Sequence, residues 1–189
     1  IIFRARLAST CLEPVKLISV TVGYVPKIGQ ENDKKCLDHS LKLTEKEADL
    51  GLPEEYKDVV AYDSNGSYSL KNNLYFCSGQ GLILDSGVTL NGNNFSIFGD
   101  AQEKNSGILI DGGKNTTVKN ITISGFYINY LARNAQNARL EESTLTRAFY
   151  ANAVNEGDEA EKVIIRGVTL EKAGTREQPG YGLTGSGKG

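Results

Sequence analysis

Val118-Lys119-Asn120-Ile121-Thr122-Ile123, Leu140-Glu141-Glu142-Ser143-Thr144-Leu145 and Ile165-Arg166-Gly167-Val168-Thr169-Leu170 write one pattern three times. Leu90-Asn91-Gly92-Asn93-Asn94-Phe95-Ser96-Ile97 writes it once more with two residues added. The closing residues Ile97, Ile123, Leu145 and Leu170 are 26, 22 and 25 positions apart. The two positions that close each copy are two residues apart and, Ser143 excepted, apolar with a polar residue between them, the period of a strand and not of a helix. Short strands returning every twenty-odd residues, with glycine or asparagine between them, mark a solenoid whose coils stack their apolar faces. The expected fold is all-β, a parallel β-helix of about four to five rungs.

Overlaying the copies assigns faces. Phe95, Ile121, Ser143 and Val168 form one inward column, and Ile97, Ile123, Leu145 and Leu170 the next. Ser96, Thr122, Thr144 and Thr169 lie between them and point outward. Threonine is favoured on exposed strands, so this single column carries no ice-binding array. Asn91, Lys119, Glu141 and Arg166 make a second outward column whose last three members alternate in sign, as stacked neighbours should. Asn94 and Asn120 align at a corner where amides can bond along the stack. The first strands open at Gly81, Gly107, Tyr127 and Tyr150, which places Ile83, Leu109, Asn129 and Asn152 in a third outward column. That column is apolar early and polar late, so something is expected to cover its first two rungs.

Residues 1–67 lack the repeat and are expected to form an N-terminal strand-plus-helix capping segment, with the β-helix over 68–189. Val15 to Val25 alternates and is rich in β-branched residues, a strand. Thr44 caps a short helix that Gly51 ends and Pro53 keeps from resuming, with a further turn over 52–56. This segment is the candidate cover, because an open solenoid end exposes strand edges. A last coil opens at Gly180-Tyr181-Gly182-Leu183 and stops in a glycine-rich tail, so the solenoid is expected to continue in a longer parent. The chain starts at Ile1 without a methionine, which suggests a processed chain or a fragment, compatible with removal of a signal peptide.

The 189 residues carry 21 basic and 23 acidic side chains. A net charge of −2 gives no field to gather nucleic acid. No apolar run reaches membrane-spanning length. Cys11, Cys36 and Cys77 allow one bridge, Cys11 to Cys36 being one choice, plus a buried thiol in a secreted protein; three thiols in a reducing compartment fit equally. Asn65, Asn94, Asn115 and Asn120 each open an Asn-x-Ser/Thr sequon.

The run from Gly66-Ser67-Tyr68-Ser69-Leu70 through Cys77-Ser78-Gly79-Gln80-Gly81-Leu82-Ile83-Leu84 to Ile97-Phe98-Gly99 resembles the first rungs of NosD-like right-handed parallel β-helix proteins, part of the pectate-lyase-like group. Ser106-Gly107-Ile108-Leu109-Ile110-Asp111-Gly112-Gly113 continues the likeness, which covers residues 66–173. The resemblance implies a right-handed coil, an extracytoplasmic location and frequent carbohydrate binding or processing. The copper chemistry associated with NosD finds no ligands, since His39 stands alone and methionine is absent.

Lyases of this group set a basic residue beside acids that hold calcium, and hydrolases pair carboxylates. Asp85, Asp111, Arg133, Arg139, Glu141 and Glu142 are the residues of those types. Asp85 and Asp111 follow aligned strands and form the one credible pair at a single corner, although Asp-Ser-Gly and Asp-Gly-Gly are also ordinary turns. Glu156, Asp158 and Glu159 offer oxygen ligands for a cation such as calcium but lack the spacing of a calcium loop. Tyr127, Tyr150 and Tyr181 open successive rungs as a row of aromatic faces, with Phe126 and Phe149 before two of them. Such a row stacks on sugar rings, with Asn129 and Asn152 supplying hydrogen bonds, or simply stiffens the corner.

The expectation is a non-catalytic, secreted or cell-surface module, structural or adhesive, that contacts carbohydrate. A polysaccharide lyase or glycoside hydrolase using Asp85 and Asp111 is the alternative. A third reading is a subunit of an extracellular assembly docking through its open ends.

Overall fold

The computed structural model describes residues 36–46, 56–100, 104–175 and 179–185. The expected Val15–Val25 strand, Cys11 and most of the expected helix lie outside these residues. The fold is a parallel β-solenoid of about four turns, with no α-helix among the described residues.

At the base lie β1 (Leu41–Leu43), β2 (Val60–Ser64), β3 (Ser67–Leu70) and β4 (Leu74–Tyr75). Four complete turns of three strands follow. They are β5 (Leu82–Leu84), β6 (Thr89–Asn91) and β7 (Ser96–Phe98); β8 (Ser106–Asp111), β9 (Thr117–Lys119) and β10 (Thr122–Ser124); β11 (Ile128–Arg133), β12 (Arg139–Glu141) and β13 (Thr144–Thr146); and β14 (Ala151–Glu156), β15 (Ile164–Arg166) and β16 (Thr169–Glu171). β17 (Tyr181–Gly185) opens one more. Equivalent strands pair into three sheets, ordered β1-β5-β8-β11-β14-β17, β2-β3-β6-β9-β12-β15 and β4-β7-β10-β13-β16. Every pairing is parallel except β2 with β3.

The third-strand column stands as expected. Ile97, Ile123, Leu145 and Leu170 lie over one another, with Leu74 beneath. Ser96, Thr122, Thr144 and Thr169 stack beside them on the outside. The column Asn91, Lys119, Glu141 and Arg166 holds too, and Arg166 Nη2 reaches Glu141 Oε1 at 3.4 Å.

The first-strand register differs from expectation by two residues. Gly107 lies opposite Asn129, so Ile83, Leu109, Leu131 and Val154 form the outward column, apolar in all four turns. Leu131 and Val154 are buried. The base begins earlier than Tyr68. β1 lies under β5, Leu37 pairs beneath Phe76, and β2 runs antiparallel along the free edge of β3. β2 and β3 join through Asn65 and Gly66, both with positive φ (45° and 72°), the two-residue hairpin that Asn-Gly favours. The disulfide joins Cys36 to Cys77 with Cα atoms 5.7 Å apart, within the usual range, and fastens the segment before β1 to the end of β4 at the base.

Corners are turned by left-handed backbone at stacked positions. Gly87, Asn115, Asn137 and Lys162 form one such column; Asn94, Asn120, Glu142 and Gly167 form another. Among the described residues, seven of the eleven non-glycine residues with positive φ are asparagines, the residue type whose short amide tolerates that region best. The abundance of asparagine is thus a turning device. The expected Asn94–Asn120 amide bond is replaced by one from Asn120 Nδ2 to Asn91 Oδ1 at 3.2 Å.

The core is continuous from Leu37 to Ala153. Tyr130 projects into it, and alanines make room: Ala153 is its stack neighbour and Ala132 lies two positions along its strand. The Tyr130 hydroxyl has no hydrogen-bond partner among the described residues, and burial pushes its pKa above the usual tyrosine range. A buried unpaired hydroxyl costs roughly 1–3 kcal/mol, so Tyr130→Phe is expected to stabilise the protein by about that amount in urea melts. The unfolded chain ionises this hydroxyl near pH 10, while the folded chain keeps it protonated. Its contribution is therefore complete below about pH 10 and declines by about 1.4 kcal/mol per pH unit above it. Tyr130→Phe should flatten that alkaline decline; an unchanged slope would contradict the assignment.

Candidate functional site

The aromatic corner lies where the third strand of one turn passes to the first strand of the next. β13 ends at Thr146, and the chain crosses Arg147, Ala148, Phe149 and Tyr150 before β14. The backbone repeats between levels: Phe149 N–H donates to Phe126 O at 2.8 Å and Tyr150 N–H to Tyr127 O at 2.8 Å. These bonds bring the rings together. Tyr127 lies parallel to Tyr150, with centroids 5.4 Å apart and planes 6° apart, and 5.6 Å from Phe149 at 26°.

Tyr181 departs from the expected row. It stands over Ala151, one position along from Tyr150, because the connection after Glu171 makes a longer excursion bridged between Gly174 and Pro179. Its ring meets Tyr150 edge-on at 5.5 Å and 64°. Tyr127 and Tyr150 therefore spend facing surfaces on each other, and the open area belongs to the outer members. Phe149 is 43%, Tyr150 39%, Tyr181 53% and Leu183 56% exposed, and these are all the exposed large apolar side chains among the described residues. All four lie at this corner and the strand that leaves it.

Asn129 and Asn152 are not ligand-facing, contrary to expectation. Both are buried. Asn129 Nδ2 donates to Thr146 O and to Asn152 Oδ1, each at 2.8 Å, and Asn152 Nδ2 donates to Glu171 O at 3.0 Å. Their amides satisfy carbonyls that the corner would otherwise strand, and so hold up the shelf that carries the rings. Arg147 and Lys172 were not singled out by sequence reasoning. They occupy the stacked left-handed position after β13 and β16, with φ 55° and 46°, and have no ion pair among the described residues. Gly125 at the same level below, two residues beyond Ile123, was the available signal.

Asp85 and Asp111 do follow paired positions, Leu84 and Ile110. Each is occupied separately. Asp85 Oδ2 accepts from Lys42 Nζ at 2.8 Å; Asp111 Oδ2 lies 3.7 Å from Arg133 Nη1, whose Nε donates to Glu156 Oε1 at 2.9 Å. Lys42–Asp85 and Asp111–Arg133–Glu156 are alternating charges on neighbouring strands, the cross-strand pairing that stabilises sheet surfaces. Glu156 is thus tied to Arg133, while Glu159 N–H contacts Asn134 Oδ1 at 3.4 Å. Among the described residues no group of three or more His, Cys, Asp or Glu is arranged to hold a metal ion. Glu141 pairs with Arg166, Arg139 sits on β12, and Glu142 occupies a left-handed corner.

No family model, curated protein or solved structure matches this chain.

Proposed function

We propose that the chain is a structural or adhesive β-solenoid module, secreted or displayed at a cell surface, whose aromatic corner rests on carbohydrate. The observation that carries this reading is the gathering of every exposed large apolar side chain of the described residues at one corner. Isolated apolar residues on a surface need no explanation, but a contiguous set does. Flat rings with open faces suit the apolar faces of pyranose sugars. The likeness to NosD-like, pectate-lyase-like β-helices supports a sugar ligand over a protein one. The disulfide supports an oxidising compartment. The separate ion pairs of Asp85 and Asp111 favour a sheet-surface role for them over acid–base work.

The test is retention on a glycan array by the full chain and by Phe149→Ala and Tyr181→Ala, which remove exposed rings without opening the core. About tenfold weaker retention is expected for each, equivalent to about 1.4 kcal/mol. Equal retention by the variants, or none by the parent, would remove the carbohydrate reading. A second reading, assembly through the upper end, draws on the same exposure: β15, β16 and β17 are edge strands among the described residues, with Leu183 open to solvent. Concentration-dependent growth in sedimentation velocity would favour it.

A further inference from the structure

We infer that the folded, secreted chain carries N-linked glycans at Asn65, Asn94 and Asn115, and that the fourth sequon, at Asn120, is empty in it. The inference rests on the extracellular reading above. All four asparagines sit at corners with left-handed backbone, at φ 45°, 65°, 55° and 53°. Sequence alone treats them alike, so the side-chain amides decide.

The reaction joins Nδ2 of the asparagine to the anomeric carbon of a lipid-diphosphate-linked oligosaccharide. The lipid diphosphate leaves and one amide proton is lost. A modified asparagine can therefore be carried into the folded state only where the fold does not use its Nδ2 and leaves space for a bulky group beside it. Asn65 is exposed at the tip of the β2–β3 hairpin, and Asn94 is exposed between β6 and β7. Neither side chain hydrogen-bonds among the described residues. Asn115 is exposed too, and it takes part in the corner ladder only through its oxygen, which accepts from Asn137 Nδ2 at 2.7 Å. A glycan on Asn115 Nδ2 leaves that bond intact.

Asn120 differs in both respects. It is half-buried, and its Nδ2 is the donor in the 3.2 Å bond to Asn91 Oδ1. That same oxygen accepts the Asn93 N–H at 3.1 Å, so the turn before Asn94 is built on it. Asn120 also lies one level from Asn94, whose N–H donates to its carbonyl at 2.8 Å. Neighbouring levels are separated by about 4.8 Å, too little for two glycans side by side. Transfer precedes folding, so a chain modified at Asn120 would carry a sugar on the half-buried Nδ2 that the corner packs against Asn91 Oδ1, fail to close that corner and be retained by quality control. The secreted population should carry none there.

The experiment drives the full chain through a eukaryotic secretory pathway with an added leader and reads the secreted protein by intact mass before and after amidase treatment. Occupied sites are mapped by the Asn-to-Asp conversion that the amidase leaves. Three glycans are expected. Ser67→Ala, Ser96→Ala and Thr117→Ala each abolish a sequon without disturbing its left-handed asparagine, and each should remove one glycan; Thr122→Ala should remove none. A glycan on Asn120 in secreted protein with a native melting curve would overturn the inference, as would an empty Asn65, Asn94 or Asn115. Because the leader imposes the route, these outcomes are independent of where the chain resides naturally. That is read separately, by locating the tagged protein in its own host.

Discussion

Replacing Cys36 and Cys77 with serine is expected to lower the unfolding free energy by about 4 kcal/mol, the loop-closure value for the 41-residue separation between them. The bridge ties the strand piece at Leu37, which lies beneath Phe76, to the base of the third sheet just after β4. Without it the unfolded chain regains freedom, and the base segment is held by its hydrogen bonds and the burial of Leu37. Cys77 is exposed, so reductant reaches the bridge in the native state. Urea unfolding of the parent with and without reductant, beside Cys36→Ser/Cys77→Ser, provides the measurement. The reduced parent and the double variant should coincide. A loss below about 1 kcal/mol would mean that the base is already fastened by other contacts.

Ile123→Ala is the second large effect. Ile123 is fully buried between Ile97 and Leu145, and its Cγ2 lies 2.5 Å from where a Cβ on Gly107 would fall. Strands above and below are fixed by their ladders, so the cavity cannot close by sliding one turn. The loss should lie towards the upper part of the roughly 2–5 kcal/mol seen for such truncations. Leu170→Ala, in the same column on β16 but partly exposed, should cost about half as much. Thermal melts of the two variants compare them directly, at about 2–4 °C per kcal/mol for a chain of this size. Equal losses would show that burial along the column is uniform, contrary to the stacking.

The third-strand column was legible because its spelling, apolar-x-apolar with Ser or Thr between, survives in every turn and fixes register by itself. The first-strand column was not. A slip of two residues leaves the inward and outward alternation unchanged, so Asn129 could be laid over Leu109 as readily as over Gly107. Hydrogen bonds choose between the two, and they pair Leu109 with Leu131. The aromatic corner was legible as a row of tyrosines; the displacement of Tyr181 was not, because the connection from Glu171 to Tyr181 is longer than those that lead to Tyr127 and Tyr150 in the two turns below. Asp85 and Asp111 were correctly placed on adjacent levels, but Lys42 and Arg133, which occupy them, come from strands whose register the pattern left free. The Asn65-Gly66 hairpin was signalled in the sequence by a pair of residues that favours it, yet it fell at the edge of a segment read as lacking the repeat.

Each turn rests only on the one below and the one above, so cohesion is passed along the stack link by link. Breathing should spread like an unzipping seam from the least covered strands, with amide exchange fastest on β15 to β17, the most exposed of the described strands, and slowest around β9 and β10. The shelf of rings sits at that loosest margin. Anything gripping Phe149 and Tyr181 together would clasp the seam shut.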